Sequence, residues 1–390
     1  MKKNNIMVKI TILLISVVQM GTNAISPVLS DIASAFPDAS ASTVQFLMTF
    51  PSLMVLFFSL ISSVIAEKVA KKYISSFGCF LFCISGLLSF LMHDNLVTLF
   101  VFSGLMGIGI GLVVTMALSL VSDCFEGEER QNMMGLQSTA ANFGAMAMTF
   151  ASGILGAIHW HCSYLVYFIA LPGAILSLMF LPKVTQSNNE DKEIKKAKSS
   201  LLDLVKKSDI LLCCLMALLV TLLFNTIPTN LSMLLQEKGI GNAAQAGTAV
   251  TLLLLSGAIG GMAYGPLSKH LNKFTMVFGF TMLAIGQLIC LTAGNIVFVY
   301  VGCLIGGCAI STVMPQVTLD AAAKSDGNTS GSSALVMAAS NLGGFCAPFI
   351  TILAKMLSGS NAVSSRFVLS VILGIILIVF LSIFLSRKQK

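Results

Sequence analysis

Few residues in this chain are able to do chemistry, and most of those are uncharged. Gln19, Asn23, Thr115, Asn142, Asn225, Gln316 and Asn341 each sit inside a long apolar run. A polar group in such surroundings costs free energy until it is hydrogen-bonded, so each must face a ligand or a neighbouring helix. For Asn23 and Asn225 the two partners are equally good. A Thr hydroxyl has a third choice, the carbonyl one turn back on its own helix. Asp31 is the acid of the first apolar run, about a turn from its end. It reads either as a group that takes up and releases protons or as a solvated rim carboxylate.

Other constellations lead nowhere. His159, His161 and Cys162 surround Trp160, but no further ligand lies nearby in sequence, and a Trp at a membrane interface is an ordinary anchor. The run "GLMGIGIG" (104–111) has alternating glycines but no preceding strand, which favours close helix packing over dinucleotide binding. No Gly-Lys-Ser/Thr loop for ATP occurs. The ten cysteines lie mostly in apolar runs and read as small buried thiols. No metal, cofactor or enzymatic constellation emerges.

The elements that must position these residues follow from composition. The chain is 56% hydrophobic and 10% charged, with a mean hydropathy of +0.91. A soluble domain carries about 25% charged residues, so most of this surface faces lipid, and nucleic-acid binding is excluded. A span needs about 20 apolar residues. Twelve runs qualify, near 10–34, 43–66, 73–92, 96–121, 131–157, 163–182, 209–235, 243–267, 274–294, 296–319, 331–355 and 364–386. They do not alternate, which predicts an all-α membrane protein of twelve transmembrane helices. The basic N-terminus leads into an apolar run with no cleavage site, so it reads as an uncleaved first span. With both termini cytoplasmic, 20 of the 23 Lys and Arg fall on the cytoplasmic side. The polar segment 183–208 then reads as a cytoplasmic linker between residues 1–182 and 209–390.

A repeat links those two parts. "AANFG" (140–144) and "ASNLG" (339–343) lie 199 positions apart; "NAISPVLS" (23–30) and "NTIPTNLS" (225–232) lie 202 apart; Asp123 and Asp320 lie 197 apart. Three similar offsets in the same order point to duplication, a common feature of transporters. The loop after the second run, "SVIAEKVAKK" (63–72), keeps the charge signs of Gly-x-Leu-Ala-Asp-Arg-x-Gly-Arg-Arg, and "GPLSKHLNKF" (265–274) is its weaker copy. On these motifs the chain resembles a major facilitator superfamily transporter.

The resemblance implies two pseudo-symmetric six-helix bundles that rock to give alternating access, with a small-molecule substrate between them. The first and fourth helices of each half would line the cavity. Glu67, Lys68, Lys71, Lys72, Asp123, Arg130 and Asp320 would form charge networks that latch the cytoplasmic gate. Glu67 and Asp123 support that role, since acids contribute little to orientation. Within the family the chain looks most like the drug/proton antiporters, although the Gly-Pro-rich motif of their fifth helix reads "NFGAMAMTFASGILG" here, without proline. No Lys or Arg lies deep in a span, so anionic cargo is disfavoured; the 21 Met and 26 Phe suit apolar cargo. The expected function is proton-linked efflux of lipophilic neutral or cationic compounds by a monomer in the cell membrane. Uptake of a small neutral metabolite such as a sugar is the alternative. Gly144 and Gly343 are expected to pack where the bundles slide. Asn142 and Asn341 would face the other bundle or the substrate.

Overall fold

A computed structural model describes residues 2–183, 204, 207–271, 274–325 and 329–387, and among these there is no strand. The first crossing is composite: helix α1 (Lys2–Ser16), a 3-10 stretch (Val17–Val28) and α2 (Leu29–Ala35). Then come α3 (Ala41–Ile65), α4 (Lys71–Leu91), α5 (Leu96–Cys124) and α6 (Gly127–Gly156). A second 3-10 stretch (Trp160–Ala170) runs into α7 (Leu171–Phe180). The remainder is α8 (Ser208–Lys238), α9 (Ala243–Leu271), α10 (Thr275–Thr292), α11 (Ile296–Ala323), α12 (Thr329–Ser358) and α13 (Val363–Arg387).

Eleven segments among the described residues are long and apolar enough to cross a membrane, against the twelve expected. The difference is α6. Its 30 residues suffice in length, but Gln137, Ser138, Thr139 and Asn142 dilute its hydrophobicity. Large apolar side chains lie bare on the surface, Met262 at 78% and Met356 at 76% exposure among them. Such a surface is stable only against lipid. This is a multi-pass membrane protein.

Helix starts are written locally, and they repeat. Ser40 Oγ accepts the Thr43 N–H (3.1 Å) at the start of α3. Asn242, 202 positions on, exchanges backbone-to-side-chain bonds of 3.0 Å with Gln245 at the start of α9. That reciprocal pair is a capping box. Asn95 caps α5 by accepting from Val97 N (2.9 Å), and Asn295 caps α11 by accepting from Val297 N (3.1 Å). These caps carry the duplication as clearly as the quoted motifs do.

The chain divides into two compact units, Met1–Val28 with Leu47–Lys192, and Leu29–Phe46 with Glu193–Lys390. Most of the expected linker, 183–208, lies outside the described residues. Residues 29–46 group with the second unit because their polar groups are bonded there. Ser30 N donates to Ser232 Oγ (3.2 Å), and Gln236 Nε2 donates to Ser34 Oγ (3.3 Å). Both pairs join positions 202 apart.

Glycines set the closest helix contacts inside each unit. In the first, a Cβ on Gly109 would lie 2.6 Å from Gly78 O, and one on Gly78 would lie 2.8 Å from Gly109 O, so α5 and α4 touch backbone to backbone. Gly107 faces Pro51 of α3 as closely. The alternating glycines thus serve two neighbours. In the second unit Gly286 of α10 meets Gly302 of α11 in the same way, with a Cβ 2.6 Å from its carbonyl oxygen. The expectation for Gly144 and Gly343 needs correction. Gly144 packs α6 on the 3-10 stretch, where a Cβ would lie 2.5 Å from Val17 Cγ1. Gly343 packs α12 on α8, where a Cβ would collide with Leu218 O. Each seals the first and fifth crossings of its own unit, not a sliding surface.

Candidate functional site

In the first unit Gln19 and Asn23 sit on the 3-10 stretch, which departs from helical geometry at Met20 (φ −110°, ψ 22°). A 3-10 run this long is uncommon and marks strain or a hinge. Gln19 Nε2 is buried and has no partner among the described residues, and Ser26 Oγ on the same stretch is likewise unpartnered. Asn23 is half-buried, with no side-chain hydrogen bond among them. Across from the stretch, α6 brings two more buried hydroxyls without partners, Thr149 and Ser152. Buried polar atoms are normally bonded to protein or water, so this interface offers unused donors and acceptors to a small molecule or to water. Thr115 is committed elsewhere. Its hydroxyl contacts Ser62 Oγ, tying α5 to α3. Asn142 donates to Ser138 O one turn back (2.9 Å).

The second unit holds its polar residues more tightly. Asn225 Nδ2 donates to Thr221 O (2.8 Å) and Asn341 Nδ2 to Met337 O (3.1 Å), each within its own helix. Around Pro228, which lacks an N–H, Thr229 Oγ1 bonds Asn225 O (2.6 Å) and Asn230 Nδ2 bonds Thr226 O (3.0 Å). Gln316 is a relay: Tyr264 Oη donates to its Oε1 (2.9 Å), and its Nε2 donates to Asp320 Oδ1 (2.9 Å). Asp31, on α2, is half-buried and makes no hydrogen bond or ion pair among the described residues.

The charged cluster resolves into separate contacts. Lys71, 1% exposed, donates to Asp123 Oδ2 (2.8 Å) and Ser119 Oγ (2.5 Å). Lys72 caps Leu178 O (3.2 Å) and lies over the Tyr73 ring. Arg130 reaches Ser122 Oγ (2.7 Å), and Glu129 pairs with Lys9 (2.5 Å). Glu67 and Lys68 are exposed and form no ion pair among the described residues. Among the charged residues expected to act together, Lys71 and Asp123 are the two that pair directly.

With paired crossings, a buried Lys–Asp bond after the second helix and repeat-related polar relays in place, the sequence comparison is decisive. The Major Facilitator Superfamily profile matches residues 11–348, and again 213–390. The chain belongs to the Major Facilitator Superfamily. It is a transporter and not an enzyme. The multidrug transporter protein MdtP of Bacillus subtilis (strain 168) is 26% identical over 139 residues, 34% of this chain and 25% of that protein. The match thus spans about a quarter of that relative's length. The nucleoside transporter NupG has a similar crystal structure, with a TM-score of 0.80 at 10% identity over 96% of this chain and 99% of that one. A bacterial homologue of the human lysosomal transporter Spinster gives 0.74 at 15% identity over 98% and 96%. At these identities the two structures show the shared fold.

One set of residues in this superfamily member escaped the sequence reading. Gln45, fully buried, donates through Nε2 to Asn230 Oδ1 (2.6 Å) and accepts through Oε1 from Thr351 Oγ1 (2.6 Å). Arg366 Nη1 donates to the same Asn230 oxygen (2.9 Å). Arg366 is 5% exposed, a second buried cation besides Lys71. Its position four residues into the last helix made it look like a loop residue, although an Arg so close to an apolar run was a readable warning. The histidines form a ring stack that includes His93, which the sequence reading did not place with them. His93 stacks on His161 (4.1 Å between centroids), and His159 also lies parallel to His161 (5.4 Å). Parallel rings do not converge on one point, and no metal-holding group of His, Cys, Asp or Glu is found among the described residues.

Proposed function

We propose that this superfamily member is a secondary transporter that works by alternating access, exchanging protons for lipophilic neutral or cationic small molecules. In this reading α6 is a twelfth crossing, residues 1–182 and 209–390 form two six-helix bundles joined by 183–208, and both termini are cytoplasmic in the cell membrane. The observation that carries the cargo class is the set of mid-span polar side chains. Gln19, Asn23, Asn225 and Gln316 are all uncharged, and in the first unit they present unused hydrogen-bonding atoms. Uncharged polar groups in a chain with 21 Met and 26 Phe suit apolar molecules, which cost little to desolvate. The partial likeness to a multidrug transporter supports export. Asp31 is the proton-coupling candidate, since no other described acid lies within the first crossing.

The test is ethidium transport in proteoliposomes under imposed proton gradients. Proton-driven ethidium movement that Asp31→Asn abolishes supports the reading. Ethidium movement insensitive to the gradient, or to Asp31→Asn, refutes proton coupling through this residue. The second reading, uptake of a small neutral hydrogen-bonding metabolite, is favoured by the unpartnered Gln19 amide. Gradient-driven accumulation of a sugar or nucleoside, with none of ethidium, would establish it.

A further inference from the structure

A second site lies wholly inside the second unit, at the end of α13 away from the C-terminus. The α2–α3 turn and the α12–α13 turn enclose a cavity of about 660 Å³. Its lining carries two cations, Lys355 and Arg366, and no acid. Hydroxyls of Ser40 and Ser42 and the side chain of Asn361 supply neutral donors. Ile352 and Met356 add an apolar wall. The volume falls within the about 300–1,000 Å³ usual for small-molecule sites.

Arg366 is the unusual member. A buried cation is normally paired with an acid, yet the guanidinium here touches only neutral atoms: Asn230 Oδ1 (2.9 Å), Met233 Sδ (3.4 Å) and Asn361 O (3.2 Å). Glu237 is close enough to be felt electrostatically, but its Oε2 is taken by Val363 N (2.6 Å), and no ion pair to Arg366 forms among the described residues. Nε makes no hydrogen bond among them either. The first turn of α3, beginning at Ala41, brings the positive end of a helix to the same cavity.

We propose that this cavity binds a small organic carboxylate, held by Arg366 and Lys355 with the start of α3 as a third positive element. The apolar wall favours an organic anion over hydrated inorganic phosphate. The ligand would bridge residues 39–42 to α12 and α13, reinforcing the bonds that already hold Gln45 against Asn230 and Thr351. The site is separate from the uncharged residues proposed for cargo, and its assignment does not depend on them.

The experiment is a thermal-shift titration of the full-length protein in detergent with sodium benzoate, against sodium chloride at matched ionic strength. A saturable rise in Tm specific to benzoate is expected. Arg366→Gln should weaken benzoate by about tenfold or more, and Lys355→Gln by about threefold, in line with losing a buried and an exposed cation respectively. Lys355 is exposed, so its variant keeps the test open if Arg366→Gln fails to fold. The same titration in nanodiscs of phosphatidylglycerol and of phosphatidylcholine separates the two possible sources of an anionic group. Equal benzoate binding in both supports a free carboxylate. Loss of benzoate binding in phosphatidylglycerol alone assigns the site to a lipid headgroup and overturns the proposal. So does an unsaturable response, or one identical in wild type and Lys355→Gln.

Discussion

Asp123 and Asp320 lie near the ends of the fourth crossings of the two units, about a turn apart in the register of the repeat, and their surroundings differ. Asp123 meets the buried ammonium of Lys71 (2.8 Å). Asp320 meets the amide of Gln316 (2.9 Å), itself bonded to Tyr264. The neighbouring contact has diverged in parallel: Ser62 with Thr115 in the first unit becomes Tyr264 with Gln316 in the second, 202 and 201 positions on. The duplicated scaffold keeps a polar bond between the second and fourth crossings, hydroxyl to hydroxyl in the first unit and phenol to amide in the second, while the ionic Lys71–Asp123 bond joins the third and fourth crossings and the Gln316–Asp320 bond lies within α11. An ion pair resists opening in proportion to the desolvation of its charges. A carboxylate–amide bond opens more cheaply. The two sites are therefore unequal in stiffness, with the stiffer one in the first unit.

Asp123→Asn should have the largest effect, because it leaves Lys71 buried without a counterion. A loss of about 3–5 kcal/mol is expected from breaking one side of a buried pair, seen as a large fall in Tm in detergent. A fall no greater than that of an exposed-site variant would remove the distinction between the two ends. A double-mutant cycle of Lys71→Met and Asp123→Leu should show strong coupling, with the double variant more stable than Asp123→Asn.

Asp320→Asn comes next. It exchanges a charge-assisted bond for a neutral one, so a loss of about 1 kcal/mol is expected, read in the same assay. Tyr264→Phe should cost about as much or slightly less, by freeing one acceptor on Gln316. If Asp320→Asn proves as harmful as Asp123→Asn, the difference between an ionic and an amide partner has no energetic consequence.

The smallest stability effect belongs to Glu67→Gln. Glu67 is exposed and unpaired among the described residues, so stability should change by less than about 0.5 kcal/mol. A role in gating would show in kinetics: slowed transport at equal expression would support it, and an unchanged rate would refute it for Glu67.

Much of this was legible in the sequence. Asn95, Asn242 and Asn295 announce helix starts because a cap is satisfied within three residues of chain. Pro27 and Pro228 sit 201 positions apart, and the alternating glycines of 104–111 declare close packing, because only a missing Cβ allows backbone contact. Partner choice was not legible. Asn142, Asn225 and Asn341 each spend one amide N–H on the carbonyl one turn back on their own helix, a bond available at every i−4 carbonyl and invisible to any argument about bundles. Gly144 and Gly343 were correctly read as packing positions and wrongly assigned a partner surface.

Sequence alone thus determined a duplicated, lipid-embedded helical chain, because hydropathy and backbone satisfaction in a bilayer act locally and leave few solutions. Only the tertiary structure decided which polar atoms are spent. Gln45, Asn230, Thr351 and Arg366 come from four helices spread over more than 300 positions, and no local rule brings them together. Burial of Arg366 depends on three neighbouring elements closing over it, and the unused atoms of Gln19 and Ser26 depend on what α6 does not offer. Those are properties of side-chain directions in the packed state, set by how helices meet and not by what each one is.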